Sequence, residues 1–193
     1  MIKTIIFDLD GMIHHSDGYF SINVAKQYGI GEEVISVFFK NEFKQCLIGK
    51  ADLKEELKPY LEKWNFPGTV DEFMIGWFKF GEFDKEILEY VKELQDRGFK
   101  CILLTNNEKY RMQAYENELS VFDKVLASCD VGFRKPSIEM FDKAFKEANC
   151  KKEEILFCDD KQKFVDIAKE YGFQTHLYEN LEKFKKSINI QEF

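Results

Sequence analysis

The 193-residue chain is predicted to be an α/β protein, a Rossmann-like parallel sheet core carrying an inserted helical bundle. Three observations predict this. Short apolar runs recur without polar alternation, helical patterns lie between them, and one interval is far too long for a crossover. Near-continuous apolar runs fit strands covered on both faces. Strand and helix in repetition give right-handed parallel crossovers.

The strand candidates are Thr4–Asp8, Lys100–Thr105, Lys124–Ser128, Ile155–Asp159 and Thr175–Tyr178. Between them, Ile87, Val91 and Leu94 recur at helical spacing, with Asp84 as N-cap and Gly98 as the stop. Ser137 is placed to cap a helix carrying Met140, Phe141, Ala144 and Phe145. Phe164, Val165, Ala168 and Tyr171 mark another helix, ended by Gly172.

The interval from Asp8 to Lys100 is about three times the ~30 residues that a whole βαβ unit takes. Helical stripes fill it: Val34, Val37 and Phe38; then Leu53, Leu57, Leu61 and Trp64; then Phe73, Trp77 and Phe80 behind a T-x-x-E capping box at Thr69 and Glu72. Pro67-Gly68 and Gly81 punctuate them. Residues 14–83 are therefore expected to form a helical cap, and residues 1–13 with 84–193 the core.

Composition bounds the function. Lys and Arg total 28 against 35 Asp and Glu, a net charge of −7, which argues against nucleic-acid backbone binding but leaves room for a local anion pocket. No apolar stretch approaches the ~18 residues of a membrane span, and the N-terminal run broken at Asp8 is too short for a signal peptide. Five cysteines, an odd number without a C-x-x-C pair, read as reduced thiols in a cytoplasmic protein. The 20 phenylalanines supply core mass.

Ligands of open parallel sheets bind at the carboxyl ends of the strands, so the polar residues there carry the chemistry. The first strand ends in Asp8-Leu9-Asp10-Gly11 and the second in Thr105-Asn106-Asn107. The third leads through Asp130 to Arg134-Lys135-Pro136, and the fourth ends in Asp159-Asp160. Such carboxylates cannot share a rim uncompensated, because two unit charges about 4 Å apart repel by roughly 4 kcal/mol at an effective dielectric near 20. Oxygen ligands of this kind suit Mg²⁺ with a phosphate bridging to a lysine. Thr105 offers a hydroxyl, and backbone N–H groups of the turn after Asp8, at Leu9 and Gly11, offer a nest for phosphate oxygens. This describes a site for phosphoryl transfer. Asp8 is placed to attack phosphorus and Asp10 to move protons.

The D-L-D-G at Asp8–Gly11, Thr105 after an apolar strand, the Lys135-Pro136 pair and the Asp159-Asp160 pair resemble, in order, the four motifs of the haloacid dehalogenase-like (HAD) hydrolases. Residues 132–172 resemble the distal half of that family along nearly their whole length. The resemblance implies Asp8 as nucleophile and metal ligand, Asp10 as acid/base also giving its backbone carbonyl to Mg²⁺, Thr105 and Lys135 as phosphate ligands with Asn106 beside them, and Asp159 with Asp160 completing the metal site. An insert after the first motif is the position of the helical cap type, as in small sugar-phosphate phosphatases and the phosphatase domain of epoxide hydrolases. The second acid, Asp10, favours phosphate over halide chemistry. Phe164 stands where many relatives carry Asn or Asp near the metal.

The expected activity is Mg²⁺-dependent hydrolysis of a small phosphorylated metabolite, a sugar phosphate among the candidates, with no nucleic-acid or membrane partner and with the chain a monomer or weak homodimer. A phosphomutase and a non-catalytic phosphate-binding regulator are the alternatives. Asn106 and Asn107 read equally as helix caps, Asp160 as metal shell or N-cap, and Arg134 as a surface charge. His14 and His15 read as exposed loop histidines, Cys158 as packing, and the Lys-rich segment from Glu182 to Lys186 as a solvated helix face. Phe20, Trp77 and Phe80 are candidates for a pocket at the seam between insert and core.

Overall fold

The apolar runs of the sequence become strands of one parallel sheet. The computed structural model describes residues 1–190. Its strands, in chain order, are β1 (Thr4–Phe7), β2 (His14–His15), β3 (Glu82–Phe83), β4 (Lys100–Thr105), β5 (Lys124–Ala127), β6 (Ile155–Asp159) and β7 (Gln174–Leu177). Five of them form a sheet in the order β5-β4-β1-β6-β7, and every neighbouring pair is parallel. β7 begins and ends one residue earlier than the sequence reading placed it.

Alternate residues of each strand enter different cores. Ile5, Phe7, Leu103, Leu156 and Cys158 pack on one face, and Ile6, Ile102, Leu104, Ile155 and Phe157 on the other. Both faces are covered, so neither set of alternate positions can be polar. Helix Lys85–Asp96 buries Ile87, Val91 and Leu94 and is capped by Asp84, whose Oδ1 accepts from Glu86 N and Ile87 N at 3.0 and 3.2 Å. Helix Ile138–Ala148 buries Met140, Phe141 and Ala144. Ser137 holds its N-cap position, but the expected side-chain cap is absent: the Ser137 hydroxyl is buried and makes no hydrogen bond. Helix Gln162–Tyr171 ends at Gly172, whose φ of 106° suits glycine. In helix Leu181–Ile190, Phe184 is buried beside the half-exposed and exposed lysines.

The long interval holds helices Phe20–Tyr28, Glu32–Lys40, Phe43–Cys46, Leu53–Lys63 and Val70–Phe78. They close on a third apolar cluster that includes Phe38, Leu53, Leu57, Leu61, Trp64 and Phe73. The Thr69–Glu72 capping box forms as read. The stripe on Glu32–Lys40 differs from the expectation. Val34 and Val37 stay 45% and 43% exposed, while Ile35 and Phe38 are buried. Residues 34/37/38 and 35/38/39 satisfy the same helical spacing, and only packing distinguishes them. The chain leaves and re-enters the core through the antiparallel ribbon of β2 and β3, with His14 opposite Phe83 and His15 opposite Glu82.

Leu57 is fully buried in the third cluster. Leu57→Ala is expected to lower unfolding stability by about 2–5 kcal/mol, read as a fall in the urea midpoint; a midpoint within error of the parent would show that this cluster does not support the fold.

Candidate active site

The sheet order places the site. β1 is central, and Phe7 pairs with Leu103 on one side and Cys158 on the other. The next residue of β1 is Asp8, whose N–H donates to Cys158 O at 3.0 Å. Asp8 and Asp159 thus emerge side by side at the carboxyl edge, with Thr105 at the end of β4.

The Lys135 Nζ lies between the two carboxylates, 2.6 Å from Asp8 Oδ1 and 2.6 Å from Asp159 Oδ2. All three side chains are buried. Burial pushes Asp8 up to about 6, with Lys135 opposing and Asp159 adding to the rise. Burial also raises Asp159 against the pull of Lys135. Burial alone would lower Lys135, but Asp8 and Asp159 outweigh it and hold its pKa above the ordinary lysine value. The ring of Phe164 lies 5.2 Å from Lys135 Nζ, so this residue supports the ammonium through its π face.

Asn106 secures the lysine. Its Nδ2 donates to Lys135 O at 2.9 Å, and its Oδ1 accepts from Lys135 N at 2.7 Å. It caps no helix. The next helix, Lys109–Ala114, is capped by Glu108, and Asn107 Nδ2 donates to Thr105 Oγ1 and Asp10 Oδ2. Asp160 is likewise no N-cap, a position held by Lys161. The N–H of Gly11 donates to His14 O at 2.9 Å, and Gly11 has φ 89°, with any Cβ there falling 2.4 Å from Asp160 Oδ2. Leu9 is buried and its carbonyl accepts from Met12, Ile13 and His14. Arg134 is exposed, as expected.

Asp8, Asp159 and Asp160 each offer a carboxylate oxygen within 4.8 Å of the others. This all-oxygen set fits a hard divalent cation such as Mg²⁺. The Asp10 carboxylate stands outside the trio and is held by Arg111, a residue the sequence reading did not single out. Arg111 makes a bidentate pair with it, Nη1 to Oδ2 at 2.9 Å and Nη2 to Oδ1 at 2.6 Å. Burial pushes Asp10 up, but Arg111, with Asn107 and His14, holds its carboxyl below the ordinary range. Arg111 Nε also donates to Tyr115 Oη at 3.2 Å.

His14 corrects the expectation of an exposed loop histidine. It is buried, stacks on Tyr115 at 5.2 Å, and its Nε2 lies 3.2 Å from Tyr115 Oη. Burial, then the nearby Arg111 charge, lowers its pKa to about 4, so the imidazole is neutral near pH 7. His15 remains exposed. The one available signal for Arg111 was its distance of one helical turn from Asn107, and the sequence carries nothing that points from there to Asp10.

The carboxyl edge opens into a cavity of about 670 Å³ between core and insert, lined by Asp10, Asn106, Arg111 and Asp160 below and by Phe20, Trp77 and Phe80 above.

Residues 2–172 match the family described as haloacid dehalogenase-like hydrolase, and the chain belongs to that family. It is an enzyme, a phosphoric monoester hydrolase of the HAD-like type. Among its relatives is the D-ribitol-5-phosphate phosphatase of Bacteroides thetaiotaomicron, 27% identical and covering 98% of both chains. The fold matches a HAD family enzyme of Bacteroides thetaiotaomicron solved in complex with magnesium and inorganic phosphate, with a TM-score of 0.80, 21% identity, and coverage of 93% of this chain and 95% of that one. It also matches a predicted HAD-like family hydrolase from Porphyromonas gingivalis, with a TM-score of 0.79, 27% identity, and coverage of 99% and 98%.

Asp10 has a depressed pKa when folded, so its pair with Arg111 stabilises fully above the ordinary value of 3.8 and is lost as pH falls through the folded value. Arg111→Met is expected to lower stability at neutral pH, with the deficit shrinking at acidic pH below 3.8 as Asp10 protonates. Urea titrations at both pH values measure it, and a pH-independent deficit would show that the arginine acts through packing alone.

Proposed function

We propose that this enzyme hydrolyses the phosphomonoester of a small metabolite through an aspartyl-phosphate on Asp8. The observation that carries the reading is the set of groups around one oxygen: Lys135 Nζ is 2.6 Å from Asp8 Oδ1, with Asp159 and Asp160 carboxylates alongside. Residues 14–83 act as a cap over the core formed by residues 1–13 and 84–193.

In the first half, an Asp8 oxygen bonds to phosphorus while the bond from phosphorus to the ester oxygen breaks, and Asp10 donates a proton to the departing alcohol. In the second half, Asp10 takes a proton from water, the water oxygen bonds to phosphorus, and the Asp8–phosphorus bond breaks to release phosphate. The two halves require opposite charge states of Asp10, and its pair with Arg111 favours the carboxylate of the second. Lys135 and the Thr105 hydroxyl hold phosphate oxygens, with the backbone turn at Leu9 beside them. The half-buried Asn106 contacts fix the lysine's backbone and so its reach.

Mg²⁺ would be held by Asp8, Asp159 and Asp160 with the Asp10 carbonyl, where it would offset the repulsion between carboxylate and phosphate. The magnesium and phosphate bound by the structurally similar Bacteroides enzyme support this assignment. The D-ribitol-5-phosphate phosphatase relative makes a polyol phosphate one ester to test. Five free cysteines support a cytoplasmic site of action, and among the described residues no helix is long and apolar enough to cross a membrane; the chain is taken to act as a monomer or weak homodimer.

Asp8→Asn is expected to cut kcat by about three orders of magnitude or more, and a chelator is expected to abolish turnover of a generic aryl phosphate until Mg²⁺ is restored. Hydrolysis that survives both changes would remove the proposal.

A further inference from the structure

The cavity at the carboxyl edge, beside Asp10 and Asp160, narrows the choice of leaving group, an inference that rests on the phosphomonoesterase reading above. At about 670 Å³ it falls within the ~300–1,000 Å³ of small-molecule sites. Its insert side carries Phe20, Phe39, Phe43, Trp77 and Phe80 with Leu47, and also the hydroxyl-bearing Ser16, Tyr19 and Ser21. The four phenylalanines and Trp77 are only half-buried, and they form one surface. Phe39 and Phe43 lie 5.2 and 5.0 Å from Trp77, and Phe20 stacks on Trp77 at 6.0 Å with 4° between ring planes. Among the described residues, no charged side chain of the insert lines the cavity.

The amides and the guanidinium of the floor are already engaged within the protein. Both ends of the Asn106 amide bond the Lys135 backbone. Asn107 bonds Thr105, Asp10 and Arg111. Arg111 is shared among Asp10, Asn107 and Tyr115, and Lys161 lies 3.4 Å from Asp160. A polyhydroxylated leaving group needs placed donors and acceptors, and each hydroxyl enclosed without one is penalised. A carbon skeleton needs only apolar area, which this wall supplies.

We propose that the preferred substrate is the phosphomonoester of an apolar alcohol, its aryl or hydrocarbon skeleton packed on the surface around Trp77 while the phosphate sits at Asp8. A polyol phosphate gains no such packing on that surface and is the poorer substrate.

The test compares kcat/KM of the native enzyme, with Mg²⁺ present, for naphthylmethyl phosphate and n-hexyl phosphate against D-ribitol 5-phosphate and glycerol phosphate. All are primary alkyl esters, so the leaving oxygens are similar in acidity and the comparison reads the skeleton. The apolar esters are expected to be favoured by about tenfold or more, mainly through KM, as befits a packed apolar group. Trp77→Ala and Phe80→Ser are expected to bring that ratio toward one. Should Trp77→Ala fail to fold, Phe80→Ser and the native panel decide. Equal or better turnover of the polyol esters, or a ratio unmoved in a folded Phe80→Ser, overturns the inference while leaving an Asp8-dependent phosphatase in place. No Asp8-dependent turnover of any ester overturns both readings.

Discussion

The structure is organised around one electrostatic constraint, the need to keep several carboxylates at the edge of a buried parallel sheet. Asp8 and Asp159 stand side by side because their strands are hydrogen-bonded in register, and burial penalises the charge of each. A single ammonium 2.6 Å from both offsets part of that cost. Removing one partner of such a buried group leaves an uncompensated charge, so the loop that carries Lys135 must be held in place. The two Asn106 hydrogen bonds to the lysine's own backbone do this. Asp10, one turn further out, is compensated separately by Arg111. The rim therefore holds two separately compensated groups, one ammonium between two carboxylates and one guanidinium on a third, and each carboxylate is free to have a different proton affinity although only one residue separates Asp8 from Asp10.

The strands and the order of the chemical residues were legible in the sequence because both obey short-range rules. A strand covered on two faces must be apolar throughout, and ligand-handling residues collect where such strands end. Asp84 and Thr69 were legible as caps for the same reason, since a cap is chosen by groups two or three residues away. Arg111 was not legible. It meets Asp10 across about a hundred positions of chain, and nothing in a helix of the composition KYRMQA states which face will look toward the first strand. His14 was misjudged because a polar pair after a turn looks solvated, whereas Tyr115, just past the end of a distant helix, and Phe83, from the opposite strand, enclose it. The outward placement of Val34 and Val37 was hidden in a spacing that two stripes share.

The second layer of contacts links the chemistry to the insert. Tyr115 Oη receives Arg111 Nε and donates to Phe78 O at 2.7 Å, while His14 stacks on the same ring from the ribbon. The residue that holds Asp10 is thus linked through Tyr115 to the last helix of the insert and to the ribbon that joins insert and core. A neutral imidazole there adds no second positive charge beside Arg111, which is consistent with its enclosure. The aromatic content of the insert serves two purposes at once: Phe73 and Trp64 fill its interior, and Trp77, at its surface, faces the cavity.

The ribbon of β2 and β3 has a consequence for how such a protein can diversify. Its two strands are the outgoing and returning ends of the insert, paired residue for residue, and Asp84 N closes the pair by donating to Ile13 O at 2.9 Å. A segment whose ends are already neighbours behaves as a graft on a single stem. It can be lengthened, shortened or exchanged for another of equal span without moving β1 or β4, and so without disturbing the register that sets Asp8 beside Asp159. Reaction and discrimination can then change at separate rates within one gene.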